Sequence, residues 1–251
     1  MKLTILGTGV CVPVSGRCQS SYYLKTLESS FIFDMGGGAM YRMAQKKIDI
    51  FSIDSIFFSH LHADHSSDFV SFMFSTNTHP EKKREKKLYI IGPRGTKKWV
   101  NGIFEVFGPH VRAQGYECEI IEMLEGRFII GSSVIKTFPV YHSEGAIGFR
   151  VEDKDGKVFA YSGDTGYGEN LMKLGEKADV FLLECSFPDR VIEKHLNMEQ
   201  ALRIAVKSQC KKLILTHIYP EFEDYDFTGA LSEDFSGEII RARDLMDIDI
   251  V

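Results

Sequence analysis

Cysteine is sparse in this chain and follows no pattern. The five, Cys11, Cys18, Cys118, Cys185 and Cys210, are odd in number and show no CxxC spacing. That excludes a disulfide framework and points to reduced thiols and a cytoplasmic setting. Long hydrophobic runs are also missing: none approaches the roughly 20 residues that a bilayer span requires, so no membrane association is expected. The opening MKLTILGTGVCVP carries one lysine and a short apolar stretch broken by Gly7 and Gly9, and it reads as a first strand, not a secretion signal. A basic excess is lacking as well. With a net charge of −5 and a pI near 5.9, the chain is not a wholly basic nucleic-acid-binding domain, and any such contact must be local. No low-complexity tract or fixed-period repeat is present, which removes disordered and solenoid classes.

What is present is ordinary globular material: 251 residues, 44% hydrophobic and 26% charged. One core can still grow at that length, so a single domain over 1–251 is expected. KLTIL ends at Gly7-Thr8-Gly9, and SYYLKTL is joined through Glu28-Ser29-Ser30 to FIFDMGGG, which is hairpin grammar. A helix over Ala39–Lys47 leads to the apolar run IDSIFFS, which stops at His60. The second third is less regular: the basic stretch EKKREKK at 81–87 reads as a solvated face, followed by the short strand LYII and the turn at Gly92-Pro93. Strands return with YECEIIEML, SVIKTFPV, GAIGFRVE, KVFAYSG and ADVFLLE. After them come the helix NMEQALRIAVKSQ, the strand KLILTH and a final EIIRARDLMDIDI. Strands in two sets with helices between them predict an α/β protein in which two sheets pack face to face and are covered outside by helices.

The strongest chemical signal is His60-Leu61-His62-Ala63-Asp64-His65, directly after the apolar strand. Residues two apart at a strand end point to one side, so His60 and His62 can grip one cation together. A turn then re-aims Asp64 and His65 towards a second position. Imidazole and carboxylate are the ligand set of zinc and similar ions. A lone histidine would read as a satisfied core or surface residue, but three histidines and an aspartate within six residues read as a metal site.

The HxHxDH pattern resembles the signature of the metallo-β-lactamase superfamily, which implies a four-layer αββα sandwich of two mixed sheets flanked by helices. The resemblance supplies the other ligands: His142 in PVYHSEG, Asp164 in YSGDTGY as the bridging carboxylate, and His217 in LILTH. Within the superfamily the chain is most similar to ribonuclease Z and its shorter phosphodiesterase relatives, through LGTGVCVPVSGRCQSS, FDMGGG, GPRGT and GDTGYGENLMKLGEKADVFLLE. This implies two divalent cations, zinc by preference with manganese or iron as alternatives, and hydrolysis of a phosphodiester by water activated between them. The substrate would be an RNA 3′ end or a small or cyclic phosphodiester. By the same resemblance Asp64 doubles as general base, His195 lies over the scissile phosphate, Glu184 orients it, and the assembly is a homodimer. A homodimer contact around Phe69, Phe72, Met73 and Phe74 is one reading of that apolar cluster; core burial is preferred. Read alone, His195 is a helix-entry residue with Asn197 as the cap.

Two family features are missing. Phe149 reaches Gly163 through RVEDKDGKVFAYS, a plain hairpin where the transfer RNA enzymes carry a long arm, and His217 is followed by Ile218-Tyr219-Pro220-Glu221 in place of the family's HxSxRY. Both departures point towards the short relatives. The competing enzyme class is a thioester, lactone or amide hydrolase on the same centre, for which Glu184 and His195 have no evident task.

Overall fold

The computed structural model describes residues 1–223, 225–226 and 235–251. Runs such as SFIFDM and VFLLE are buried at every position, which requires a sheet covered on both faces. In the first sheet β1 (Lys2–Gly7), β2 (Ser21–Lys25) and β3 (Ser30–Met35) form an antiparallel meander. From there β4 (Ser55–Phe57), β5 (Leu88–Gly92) and β6 (Cys118–Glu122) continue in parallel, and β14 (Asp247–Asp249) closes the other edge against β1. The second sheet repeats the plan. Its strands β7 (Gly126–Ile130), β8 (Ser133–Pro139), β9 (Ile147–Glu152) and β10 (Val158–Tyr161) are antiparallel, and β11 (Val180–Glu184), β12 (Lys212–Thr216) and β13 (Glu238–Arg241) follow in parallel.

The faces that meet are built from aromatic and β-branched residues. Phe33 stacks on Phe57 at 4.8 Å and meets Phe149 and Phe159 of the opposite sheet at 5.7 and 5.4 Å. Outside the first sheet lie α1 (Ala39–Gln45), α2 (Ala63–Ser66), α3 (Phe69–Thr78) and α4 (Thr96–Phe107), which cover Ile32, Ile56 and Phe58. Outside the second lie α5 (Asn170–Leu174) and α6 (Met198–Ser208), covering Phe181, Leu183 and Leu215. These are the two mixed sheets and four layers that the sequence led us to expect. Among the described residues no helix is long and apolar enough to cross a membrane.

The irregular second third holds two of the helices, α3 and α4, that patterning did not single out. Phe69, Phe72 and Met73 are core, whereas Phe74, from the same cluster, is 49% exposed. The basic stretch 81–87 is a surface segment with one exception: Arg84 is buried and donates to the carbonyls of Ile50, Phe51, Ile53 and Lys87.

Candidate metal centre

Strands of both sheets end at the same place, and the chemistry-bearing residues lie there. His60 comes just after β4, and the chain then turns into α2, which carries Asp64 and His65, with His62 at its N-terminal boundary. His142 follows β8, Asp164 follows β10, Glu184 is the last residue of β11 and His217 follows β12. Two close approaches make this convergence sterically feasible. Gly163 has φ +61 and an added Cβ would lie 2.5 Å from Ser59 Cβ, and a Cβ on Gly36 would lie 2.1 Å from the Asp64 carbonyl oxygen. Both positions therefore need glycine.

Asp164 occupies the middle. Its carboxylate oxygens lie 3.1 Å from His65 Nε2, 3.2 Å from His217 Nε2, 3.7 Å from His142 Nε2 and 3.8 Å from His60 Nε2. Two groups of ligand atoms flank it, His60 with His62 and His142, and Asp64 with His65 and His217. His142 Nε2 is 3.2 Å from His62 Nδ1, and His217 Nε2 is 3.7 Å from Asp64 Oδ2. The seven residues named from sequence thus come together, six of them largely shielded and His62 exposed.

Nε2 of His60, His65 and His217 and Oδ1 of Asp164 are buried without a hydrogen-bond partner. Buried polar atoms are normally satisfied, and a group of orphaned ring nitrogens around one carboxylate oxygen is the arrangement a cation would complete. The donor set, nitrogen with carboxylate oxygen, suits zinc and its neighbours.

Charge in the cluster follows from burial and proximity. Burial drives the His60 imidazole well below its usual range and lowers His142 as well. Burial also opposes charge on His65, but Asp164 and Asp34 outweigh it and push that ring well up. Asp164 is driven in the opposite sense: burial favours its neutral form, yet His217 and His65 hold it well below the carboxylate range. Cation binding to such a cluster must displace protons.

Glu184 and His195 stand beside it. His195 Nδ1 lies 2.9 Å from Glu184 Oε1, and the His195 ring is 5.0 Å from that of His142 and 5.4 Å, stacked, from that of His217. Although burial lowers it, the bond to Glu184 raises the His195 pKa overall. Asn197 caps α6 in a capping box with Gln200, so the helix-entry reading of this segment is also realised.

Sequence reasoning did not find four residues of the surroundings. Asp34, fully buried, accepts from Ser59 N and Oγ at 2.7 Å each, from Tyr161 OH at 2.6 Å, and pairs with His65 Nδ1 at 2.8 Å. Ser186 lies between Glu184 and His217. Asp34 is the extra residue of a bulge between β2 and β3 and has φ 55, as His217 has φ 57. Left-handed backbone at non-glycine residues concentrates at functional sites. A charged residue in the otherwise apolar FIFDM was the available signal.

A family model described as a β-lactamase superfamily domain matches residues 32–218. The ribonuclease Z of Bacillus licheniformis is 30% identical over 281 aligned positions, covering 89% of this chain and 90% of that protein. Among solved structures, the short form of human tRNase Z superposes with a TM-score of 0.80 at 23% identity, with complete coverage of both chains. A diphosphatase of the PhnP family superposes with 0.75 at 18% identity, covering 99% of this chain and 97% of that one.

Proposed function

The chain belongs to the metallo-β-lactamase superfamily and is a ribonuclease Z-like, metal-dependent hydrolase, and from that premise we propose that it cleaves a small or cyclic phosphodiester at a dinuclear centre. His60, His62 and His142 would hold one cation, Asp64, His65 and His217 the other, and Asp164 would be shared between them. Zinc is the first choice of metal, manganese or iron the alternative. When bound, such a pair supplies positive charge to the phosphate oxygens and acidifies water. Asp64 serves as ligand and as acceptor of the water proton. His195, held by Glu184, delivers a proton to the leaving oxygen or donates to the equatorial oxygens of the transition state. A cytoplasmic location and assembly as a homodimer belong to the same proposal.

The observation that carries this reading is the Glu184–His195 pair within ring contact of the cluster. In thioester hydrolysis the thiolate leaves without a proton, so a proton donor placed there has no evident task. The direct β9–β10 hairpin through Asp153–Lys157 favours a small diester over a transfer RNA precursor, whose processing enzymes carry a long arm at that point.

The test is turnover by zinc- and manganese-loaded protein on bis(p-nitrophenyl) phosphate, cyclic nucleotides, a transfer RNA precursor and a thioester. Diesters should be hydrolysed well above the thioester, and the precursor should be no better than the small diesters. Thioester cleavage without diester cleavage would reject the proposal.

A further inference from the structure

A neutral imidazole keeps a lone pair on Nε2 only while its proton sits on Nδ1. The orientation of each ring's Nδ1 therefore decides whether the orphaned Nε2 atoms can serve a cation. For His65 the Nδ1 partner is a carboxylate, Asp34 Oδ2 at 2.8 Å, which can only accept. His60 and His217 differ. Their Nδ1 atoms meet serine hydroxyls, Ser59 Oγ at 3.0 Å and Ser186 Oγ at 2.9 Å, and a hydroxyl can either donate or accept.

The second contact of each serine removes that freedom. A hydroxyl has one proton. Ser59 Oγ lies 2.7 Å from Asp34 Oδ2, and Ser186 Oγ lies 2.8 Å from Glu184 Oε2. Both carboxylates are surrounded by donors. Asp34 also receives Ser59 N–H and Tyr161 O–H. Glu184 receives Thr165 N–H at 2.7 Å, Leu196 N–H at 3.1 Å and the Nδ1–H of His195 at 2.9 Å. Each carboxylate therefore takes the serine proton, and the hydroxyl presents a lone pair to the histidine. Ser59 and Ser186 are 1% and 0% exposed, so bulk water offers no competing donor. His195 Nδ1 is also 3.3 Å from Ser186 Oγ, but its shorter contact is with Glu184.

We propose that Ser59 and Ser186 are positioning residues that fix the tautomers of His60 and His217: each serine passes a buried carboxylate's demand for a proton to one ring, which leaves Nε2 bare and facing the cluster. The proposal rests on reading His60 and His217 as metal ligands. The same arrangement occurs once on each sheet, Asp34–Ser59–His60 on the first and Glu184–Ser186–His217 on the second. Glu184 thus serves two rings, His195 directly and His217 through Ser186. Loss of the Ser186 hydroxyl should release His217 and leave the Glu184–His195 bond intact. Because His60 and His217 lie in different ligand groups, each serine acts on one cation position.

Long-range 15N–1H correlation spectra of metal-free, 15N-histidine-labelled protein read the tautomers directly, at a pH of about 9 where ordinary imidazoles are neutral. The unmodified chain should show Nδ1–H for His60 and His217. An Nε2–H form of either ring overturns the proposal for that serine without recourse to any variant. In Ser186→Ala, His217 should populate both tautomers while His60 is unchanged, and Ser186→Thr should restore Nδ1–H. Competition with a chromophoric chelator should then show one zinc equivalent of Ser186→Ala weakened about 10- to 100-fold, with the other unaltered and Ser186→Thr near the parent. Unchanged tautomer and unchanged zinc affinity in Ser186→Ala would reject the relay. If the parent shows Nδ1–H on both rings but takes up no zinc, the relay stands and the dinuclear reading of the preceding subsection fails.

Discussion

At the residue scale, the proposed function gives Asp64 and His195 separable tasks. Removing Asp64 deletes a ligand and a proton acceptor together, so Asp64→Ala should abolish diester hydrolysis and also reduce metal content. His195 also shares candidate ligand groups with His142 and Asp164 and with Glu184 and His217, but the proposed assignment gives it to neither cation; on that assignment His195→Ala should keep the metal and lose rate. General acid catalysis contributes typically 10²- to 10⁴-fold, but only as far as the leaving oxygen needs a proton. The loss should therefore be largest for alkoxide leaving groups and much smaller for p-nitrophenolate. Steady-state kinetics on the two substrate classes checks this, with circular dichroism melts to show the fold intact. Equal losses on both classes would move His195 from proton donor to transition-state charge stabiliser, and a full rate on both would remove it from the reaction.

At the element scale, the strand termini explain what could be read from sequence and what could not. HLHADH is legible because all its chemistry lies within one turn after the apolar strand. His142, Asp164 and His217 come from separate strand ends, and only resemblance joined them to it. Ser59 and Ser186 were not legible, and Asp34 only as a charge inside FIFDM: their roles depend on a bulge in β3 and on contacts across elements, for which local periodicity carries no signal. The helices α3 and α4 were obscured differently. FVSFMFSTNT is rich in aromatic and β-branched residues that are weak helix formers, and the Asn101-Gly102 pair inside α4 has turn chemistry; tertiary burial of Phe69, Phe72, Met73 and Val100 overrides both. Composition likewise misjudged Arg84. Its guanidinium ties the segment before β5 to the carbonyls of Ile50, Phe51 and Ile53 and lies 5.2 Å from the Tyr116 ring centroid. Arg84→Met should cost about 1–3 kcal/mol by stranding those acceptors. Arg84→Lys should not recover it, because one ammonium cannot reproduce a planar fork of donors. Urea unfolding of the three proteins checks this, and a neutral Arg84→Met would return the segment to a merely solvated role.

At the scale of the whole molecule, the two sheets are joined by a shared core, by a returning edge strand and by the cluster itself. The edge is held by Asp247 of β14, which accepts from Thr4 Oγ1 at 2.7 Å and pairs with Lys46 at 2.8 Å and Lys2 at 3.2 Å. Burial raises its pKa, but the donors prevail and depress it to about 2. A depressed carboxyl contributes its full stabilisation above the unfolded value of about 3.9 and loses it as pH falls towards the folded one. Because the groups are partly exposed, the contribution should stay under about 1 kcal/mol. Urea midpoints of the parent and Asp247→Asn should accordingly differ near neutral pH and converge as the pH falls towards 2; a gap that persists or widens in acid would contradict the assignment.

The cluster makes the larger prediction. His60, Asp64 and His65 follow strands of the first sheet, and His142, Asp164 and His217 follow strands of the second, so a cation held there binds the folded chain and not the unfolded one. Such a ligand at 100 times its dissociation constant stabilises by about 2.7 kcal/mol. In a chain of this length that corresponds to a rise in Tm of roughly 5–10 °C. Calorimetry with zinc and with a chelator should show this difference, and Asp164→Ala, which removes the carboxylate proposed to be common to both positions, should eliminate most of it. If zinc leaves the parent's Tm unmoved, the orphaned nitrogens of His60, His65 and His217 need another explanation, and the hydrolytic reading loses its centre.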